Sequence, residues 1–187
     1  LLRCDRRPLA TPRQELVLRM AAMARQPHLV DYDLTAAVVH PADSELRARC
    51  AALTAGGPDG YEGASVRLAV RAGDDVVGTA RVTLWSPVVG FLVEHEPVDA
   101  HPDLSLGPRS AELSDVVVVD PALRERVFLA LAMLASRVSA AHGIENLYVV
   151  SSVDDVRALD GFDVETLGAT VARVDLHSQS WEPRRAG

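Results

Sequence analysis

No lysine occurs among the 187 residues, and all nineteen basic side chains are arginine. That removes Schiff-base and lysine-nucleophile mechanisms at once. Cysteine is scarce as well: Cys4 and Cys50 have neither metal-ligand spacing nor the density of a disulfide scaffold, so both read as inert thiols and no redox chemistry is expected. Of the six histidines, His28, His40, His95, His101, His142 and His177, no two share the i, i+4 spacing of a helical zinc site, so no metal is expected. Basic charge is outweighed by acidic, with a formal net charge of −7. A general nucleic-acid footprint needs a basic surface to release counterions, so only a local basic patch stays open. No apolar run approaches the ~18 to 20 residues of a membrane span. The basic start Leu1 to Arg7 is not followed by a secretory apolar region. The expectation is a cytoplasmic protein with no membrane partner.

What is present is the profile of one globular domain, with 48% hydrophobic and 24% charged residues. Gln14 to Gln26 places Leu16, Met20 and Met23 on one stripe and stops before Pro27, so residues 1–30 read as an N-terminal helical extension. Residues 31–180 form the main domain and 181–187 a tail. Leu34 to His40 reads as a strand. Pro41-Ala42-Asp43-Ser44-Glu45 opens a helix to about Thr54, stopped by Gly56-Gly57-Pro58. From Ser65 the period becomes two, and Gly73-Asp74-Asp75 turns the chain into Val76 to Trp85, an antiparallel hairpin. Ser86 to Arg109 holds four prolines and no sustained period, a long excursion of the kind that binds or covers a site.

Ala111 to Asp120 is the strongest strand. Its Val116-Val117-Val118-Val119 run predicts a central position with burial on both faces. Pro121 opens a helix to His142, closed by Gly143, with Val127, Leu131, Leu134 and Val138 on the core stripe. Leu147 to Val150 is a buried strand and Asp154 to Asp160 a short helix ending at Gly161-Phe162. Val164 to Thr166 leads into a last strand, Thr170 to Ser178. The fold class is α/β of the α+β kind, a mixed central sheet flanked by helices, with an extra N-terminal helix.

This order resembles the GNAT acyltransferase superfamily over about Leu34 to Ser178. The local matches are Val118-Val119-Asp120-Pro121-Ala122-Leu123-Arg124, and Leu159-Asp160-Gly161-Phe162 with Leu167-Gly168. Within it, the long excursion and Glu112-Leu113-Ser114 are most similar to acyl-homoserine-lactone synthases and N-acyl amino acid synthases. Those relatives usually place arginine straight after the Glu-x-Ser, where this chain has Asp115. The glycine-rich pyrophosphate loop of acetyl-CoA enzymes is replaced here by Arg124-Glu125-Arg126-Val127-Phe128-Leu129.

The resemblance implies transfer of an acyl group from a thioester to the amine of a small molecule, the chemistry of bacterial natural-product biosynthesis. The donor is either acyl-CoA or the acyl-phosphopantetheine of an acyl carrier protein, with no metal. A splayed central strand would hold the pantetheine arm on main-chain groups of Val117, Val118 and Val119. The following helix start, with Arg124, Arg126 and Val127, would take the phosphate end. Glu112 is the candidate base, Ser114 on the same strand face a relay or acceptor contact, and Ser151 a donor near the thiol. Strand alternation places Asp115 on the opposite face from Glu112. Arg81, Trp85 and Ser152 are candidate substrate contacts, with His95 and His101 further candidates in the excursion.

Blander readings stand beside these: Ser152 as a helix cap, Ser114 as a satisfied strand serine, Tyr148 as core, and Arg124 and Arg126 as solvated helix-start residues. No tyrosine occurs in Asp154 to Phe162 to protonate a leaving thiolate. That leaves two alternatives on the same fold: acyl transfer onto a carrier protein or thioester decarboxylation, and a thioester-binding module without turnover.

Overall fold

Eight strands form one sheet in the computed structural model, which describes residues 28–31, 34–54, 61–88, 90–95, 106–160 and 164–177. In chain order they are β1 (His28–Asp31), β2 (Leu34–Val38), α1 (Ser44–Leu53), β3 (Ser65–Ala72) and β4 (Asp75–Leu84). There follow a 3₁₀ turn (Leu92–His95), β5 (Ser110–Val118), α2 (Arg124–Ala140), β6 (Asn146–Val150), α3 (Val153–Arg157), β7 (Glu165–Gly168) and β8 (Val171–Asp175). The spatial order is β1-β2-β3-β4-β5-β6-β8-β7. Every neighbouring pair is antiparallel except β5 and β6, which run parallel and are joined by the α2 crossover.

Local chemistry sets the element ends. Asp43 caps α1 by accepting from Leu46 N at 2.9 Å. Asp120 does the same at Ala122 N, 2.9 Å, with Pro121 in the first position, so the crossover begins as a 3₁₀ turn (Pro121–Leu123) before α2. The helix therefore starts three residues after the proline that was expected to open it.

One sheet face is covered by α2, whose Val127, Phe128, Leu131, Leu134 and Val138 pack with Leu68, Val70, Ala80, Val82 and Leu113. The approach is closest at Gly78, where a Cβ would lie 2.3 Å from Val127 Cγ1 and 3.2 Å from Val117 O. Only a residue without a side chain fits there. The other face is covered by α1, through Cys50 and Leu46 against Ala69 and Val76, and by Phe91 and Val93 of the excursion, which pack with Tyr148, Leu167 and Val171.

The mixed sheet flanked by helices agrees with the expected fold class. Three details differ. Strand β1 straddles the expected boundary at residue 30, the closing segment is a β7–β8 hairpin, and the valine run is not buried on both faces. Val116, Val117 and Val118 are half-buried and Val119 is 54% exposed, because β5 has lost one neighbour at that level. The expected helix Gln14 to Gln26, Cys4, His101, the Gly161-Phe162 pair and the tail lie outside the described residues. No described helix is long and apolar enough to cross a membrane.

Candidate functional site

Strand β5 is paired with β4 along its length, from Ala111 opposite Leu84 to Val118 opposite Gly78. Its other edge meets β6 only from Ser110 opposite Asn146 to Leu113 opposite Val149. Beyond Leu113, β6 stays with β8, through Val150 opposite Val171, and no described strand pairs with β5 on that side. The two central strands thus enclose a gap that opens toward the starts of α2 and α3.

A bulge sits where the gap begins. Asp115 and Val116 together oppose Ala80, since the pairs step from Arg81–Ser114 to Thr79–Val117. Asp115 adopts φ +52°, a left-handed conformation that aspartate tolerates better than most residues. The extra residue swaps the parity of the main chain. Before it, Ser110 O faces β4 and accepts from Trp85 N at 3.3 Å; after it, Val119 N faces β4 and donates to Val77 O at 3.0 Å. Alternation then turns the N–H and C=O of Val116 and Val118 away from β4 and into the gap. Of the three valines expected to offer main-chain groups, Val118 does so, whereas Val117 and Val119 face β4. Val116, which sequence reasoning did not name, joins Val118.

The bulge also corrects the reading of Asp115. Strict alternation would send its side chain away from Glu112, but its Oδ2 lies 3.1 Å from Arg81 Nη2, and Arg81 shares the face of Ser114. On that face two rows of side chains cross the strands: Ser65, Thr83, Glu112 and Tyr148, and beside them Arg67, Arg81 and Ser114.

Glu112 is completely buried. Its Oε2 accepts from Val93 N at 2.8 Å, so the 3₁₀ turn of the excursion is seated directly on the carboxylate. Burial pushes its pKa above the ordinary carboxylate value, opposed by the Val93 amide, the Ser114 hydroxyl, the Arg81 charge and the Leu92 amide. Glu112 Oε1 and Ser114 Oγ, both buried, meet no partner at full hydrogen-bond geometry among the described residues, although the hydroxyl stands beside the carboxylate. A raised carboxyl with a serine hydroxyl beside it is suited to take a proton from an amine.

At the mouth of the gap, Arg124, Ser151 and Ser152 come together around a residue the sequence did not single out. Asp155 Oδ1 accepts from Arg124 Nε at 2.9 Å, and Oδ2 from Arg124 Nη2 at 2.7 Å and Ser151 Oγ at 2.5 Å. Arg124 Nη2 also lies 3.2 Å from Ser152 Oγ, which caps α3 through Asp155 N at 3.3 Å. The Ser152-x-x-Asp155 spacing signals a helix start, and that capping pattern was the available hint. Arg126 is exposed on the first turn of α2 and Val127 is buried beneath it against β4. Trp85 packs into the Phe91–Tyr148 cluster, and Tyr148 is core. His101 lies outside the described residues, as does the side chain of His95.

A mixed sheet with a parallel central pair splayed beyond a bulge, and a crossover helix starting at the splay, is the GNAT-type fold. The chain is similar in structure to AHL synthase LasI, at 18% identity and a TM-score of 0.51 over 64% of this chain and 68% of that one. It is similar also to FeeM, an N-acyl amino acid synthase from uncultured soil microbes, at 10% identity and a TM-score of 0.51 over 78% of this chain and 93% of that one. No family profile and no curated protein matches the sequence.

Proposed function

We propose that this chain is an acyltransferase that moves an acyl group from a CoA or carrier-protein thioester to the amine of a small molecule. The observation that carries this reading is the gap beyond Leu113, lined on one side by the inward-facing main chain of Val116 and Val118 and flanked by buried Glu112. An extended pantetheine arm carries amides that can pair with a free strand edge as an added strand would. Its thiol end would then lie near the bulge, on the level of Ser114. Glu112 takes the amine proton as nitrogen attacks the thioester carbon. The C–S bond then breaks and the thiolate leaves, taking up a proton for which Ser114 and Ser151 are the candidate donors. Both named structural relatives, an AHL synthase and an N-acyl amino acid synthase, agree with acyl transfer.

Arg124 is engaged by Asp155, and the phosphate end of the donor is placed at the start of α2, which has no side-chain cap. Glu125 in the same turn works against a doubly charged pyrophosphate. The single phosphate of a carrier-protein arm is the better fit.

Acyl-CoA and acyl-carrier-protein thioesters incubated with a panel of amines, with detection of free thiol, test the reading. Amine-dependent thiol release is expected. Its absence with every donor, or a purely hydrolytic release that no amine accelerates, sinks it.

A further inference from the structure

Four consecutive valines, Val116 to Val119, follow the first residue of the bulge, and a run of identical side chains does not fix its own register. Shifting β5 by one residue against β4 exchanges valine for valine on each face, so the selection comes from outside the run. Asp115 is the residue at which the two registers part.

Without the bulge, the pairing of Arg81 with Ser114 would continue as Ala80 with Asp115 and Thr79 with Val116. Residues paired across strands share a face. Asp115 would then be turned to the side of Ala80, which is completely buried in the core under α2. An unpaired charge in such an apolar cluster is costly. With the bulge, Asp115 takes φ +52°, unfavourable for any residue bearing a Cβ but least so for aspartate and asparagine. Its Oδ2 then lies 3.1 Å from Arg81 Nη2. The Arg81 side chain is 5% exposed, and its guanidinium sits over the Tyr61 ring, 5.0 Å from the centroid. Arg67, directly opposite Arg81 on β3, brings Nη1 to 4.0 Å from the same oxygen. One side chain thus penalises the flat register by burial and favours the bulged one by charge pairing.

The choice reaches the gap. Glu112 precedes the bulge and keeps its place opposite Thr83 in either register. Every main-chain group after Asp115 moves by one residue, ~3.3 Å along the strand, and changes sides. In the flat register Val117 and Val119 would face the gap, and the groups offered to an extended ligand would stand at another distance from the Glu112 carboxyl.

We propose that Asp115 is a positioning residue: it selects the register of β5 on β4 and thereby sets the spacing between Glu112 and the main-chain groups that hold the thioester donor. The selection of register stands on geometry alone, and its bearing on the donor rests on the acyl-transfer reading above.

Amide hydrogen exchange followed by NMR reads the register without turnover. In the parent, the Val117 and Val119 amides should be protected by β4, and those of Val116 and Val118 should exchange about tenfold faster or more. Asp115→Val removes the charge and disfavours the left-handed conformation, so the pattern should reverse, with Val116 and Val118 protected. Asp115→Ala should act in the same direction and decides the matter where valine impairs folding. Asp115→Asn keeps a polar group and tolerates the conformation, so it should hold the parental pattern. In thiol-release assays the valine variant should show a donor kcat/KM lowered about tenfold or more, with the asparagine variant close to the parent. A parental pattern in the apolar variants, a reversed one in Asp115→Asn, or loss of folding in both apolar variants overturns the proposal. So does a reversed pattern with an unchanged donor kcat/KM. Reversal in a chain that releases no thiol with any donor and amine would instead remove the acyl-transfer reading and leave the choice of register standing.

Discussion

Asp155 holds the guanidinium of Arg124 by two hydrogen bonds, 2.9 Å from Nε to Oδ1 and 2.7 Å from Nη2 to Oδ2. The start of α2 is thereby tied to α3 across the mouth of the gap. The two partners are unequal, since the Asp155 side chain is 1% exposed and that of Arg124 36%. Removing the arginine strands a buried carboxylate, whereas removing the carboxylate leaves a guanidinium that water can still reach. After allowance for that exposure, Arg124→Leu is expected to cost about 2 kcal/mol and Asp155→Asn about 1 kcal/mol in urea denaturation. Equal costs, or the reverse order, would show that the pair's burial does not govern its energetics.

Glu112→Gln separates stability from activity. A carboxyl raised by burial still holds its proton in the folded chain at pH values where the unfolded chain has lost it. Its contribution to stability is therefore highest below the ordinary value of 4.5 and declines as pH rises through the raised folded value. Glutamine keeps an acceptor for Val93 N and carries no charge. The variant's thermal midpoint should match or exceed the parent's at pH 7, with the difference shrinking below pH 4.5. Acyl transfer should fall about a hundredfold or more. Undiminished amine-dependent thiol release would remove Glu112 from the chemistry.

Proline substitution distinguishes main-chain groups that face the gap from those that face β4. Val118→Pro deletes an N–H outside the β4 ladder, so folding should be largely kept while KM for the acyl thioester rises severalfold. Val119→Pro deletes the bond to Val77 O and should cost stability first. If Val118→Pro leaves KM unchanged, the thioester arm does not use that edge.

Gly78→Ala places a methyl group where Val127 Cγ1 now lies, 2.3 Å from an ideal Cβ. Overpacking of this kind costs about 1 to 3 kcal/mol, and the helix start must shift away from β4 to accept it. A lower thermal midpoint together with a raised donor KM is expected. A silent substitution would mean that the first turn of α2 is loosely seated.

Most of the frame was legible because it is written in short-range patterns. Alternation marks β3 and β4, Gly73 their turn, Pro121 and Asp120 the crossover start, and Glu112-x-Ser114 a single strand face. The weak points were places where a side chain's meaning depends on a distant partner. Arg124 reads as a phosphate contact until Asp155, 31 residues away, is seen to hold it. Asp115 reads as facing away from Glu112 until the bulge brings it to Arg81. The facing pair Arg67–Arg81 carries no meaning in the sequence because the register of β3 against β4 creates it.

The sequence by itself determined which segments extend, which coil and where each stops, since capping, proline geometry and hydrophobic period act within a few residues. Only the tertiary structure decided that β5 leaves β6 after Leu113, that Val116 and Val118 rather than Val117 and Val119 face the gap, and that Asp115 meets Arg81. The reason is physical. A one-residue bulge reverses the main-chain parity of everything after it, and whether a bulge forms depends on the neighbouring strand, not on the valines themselves.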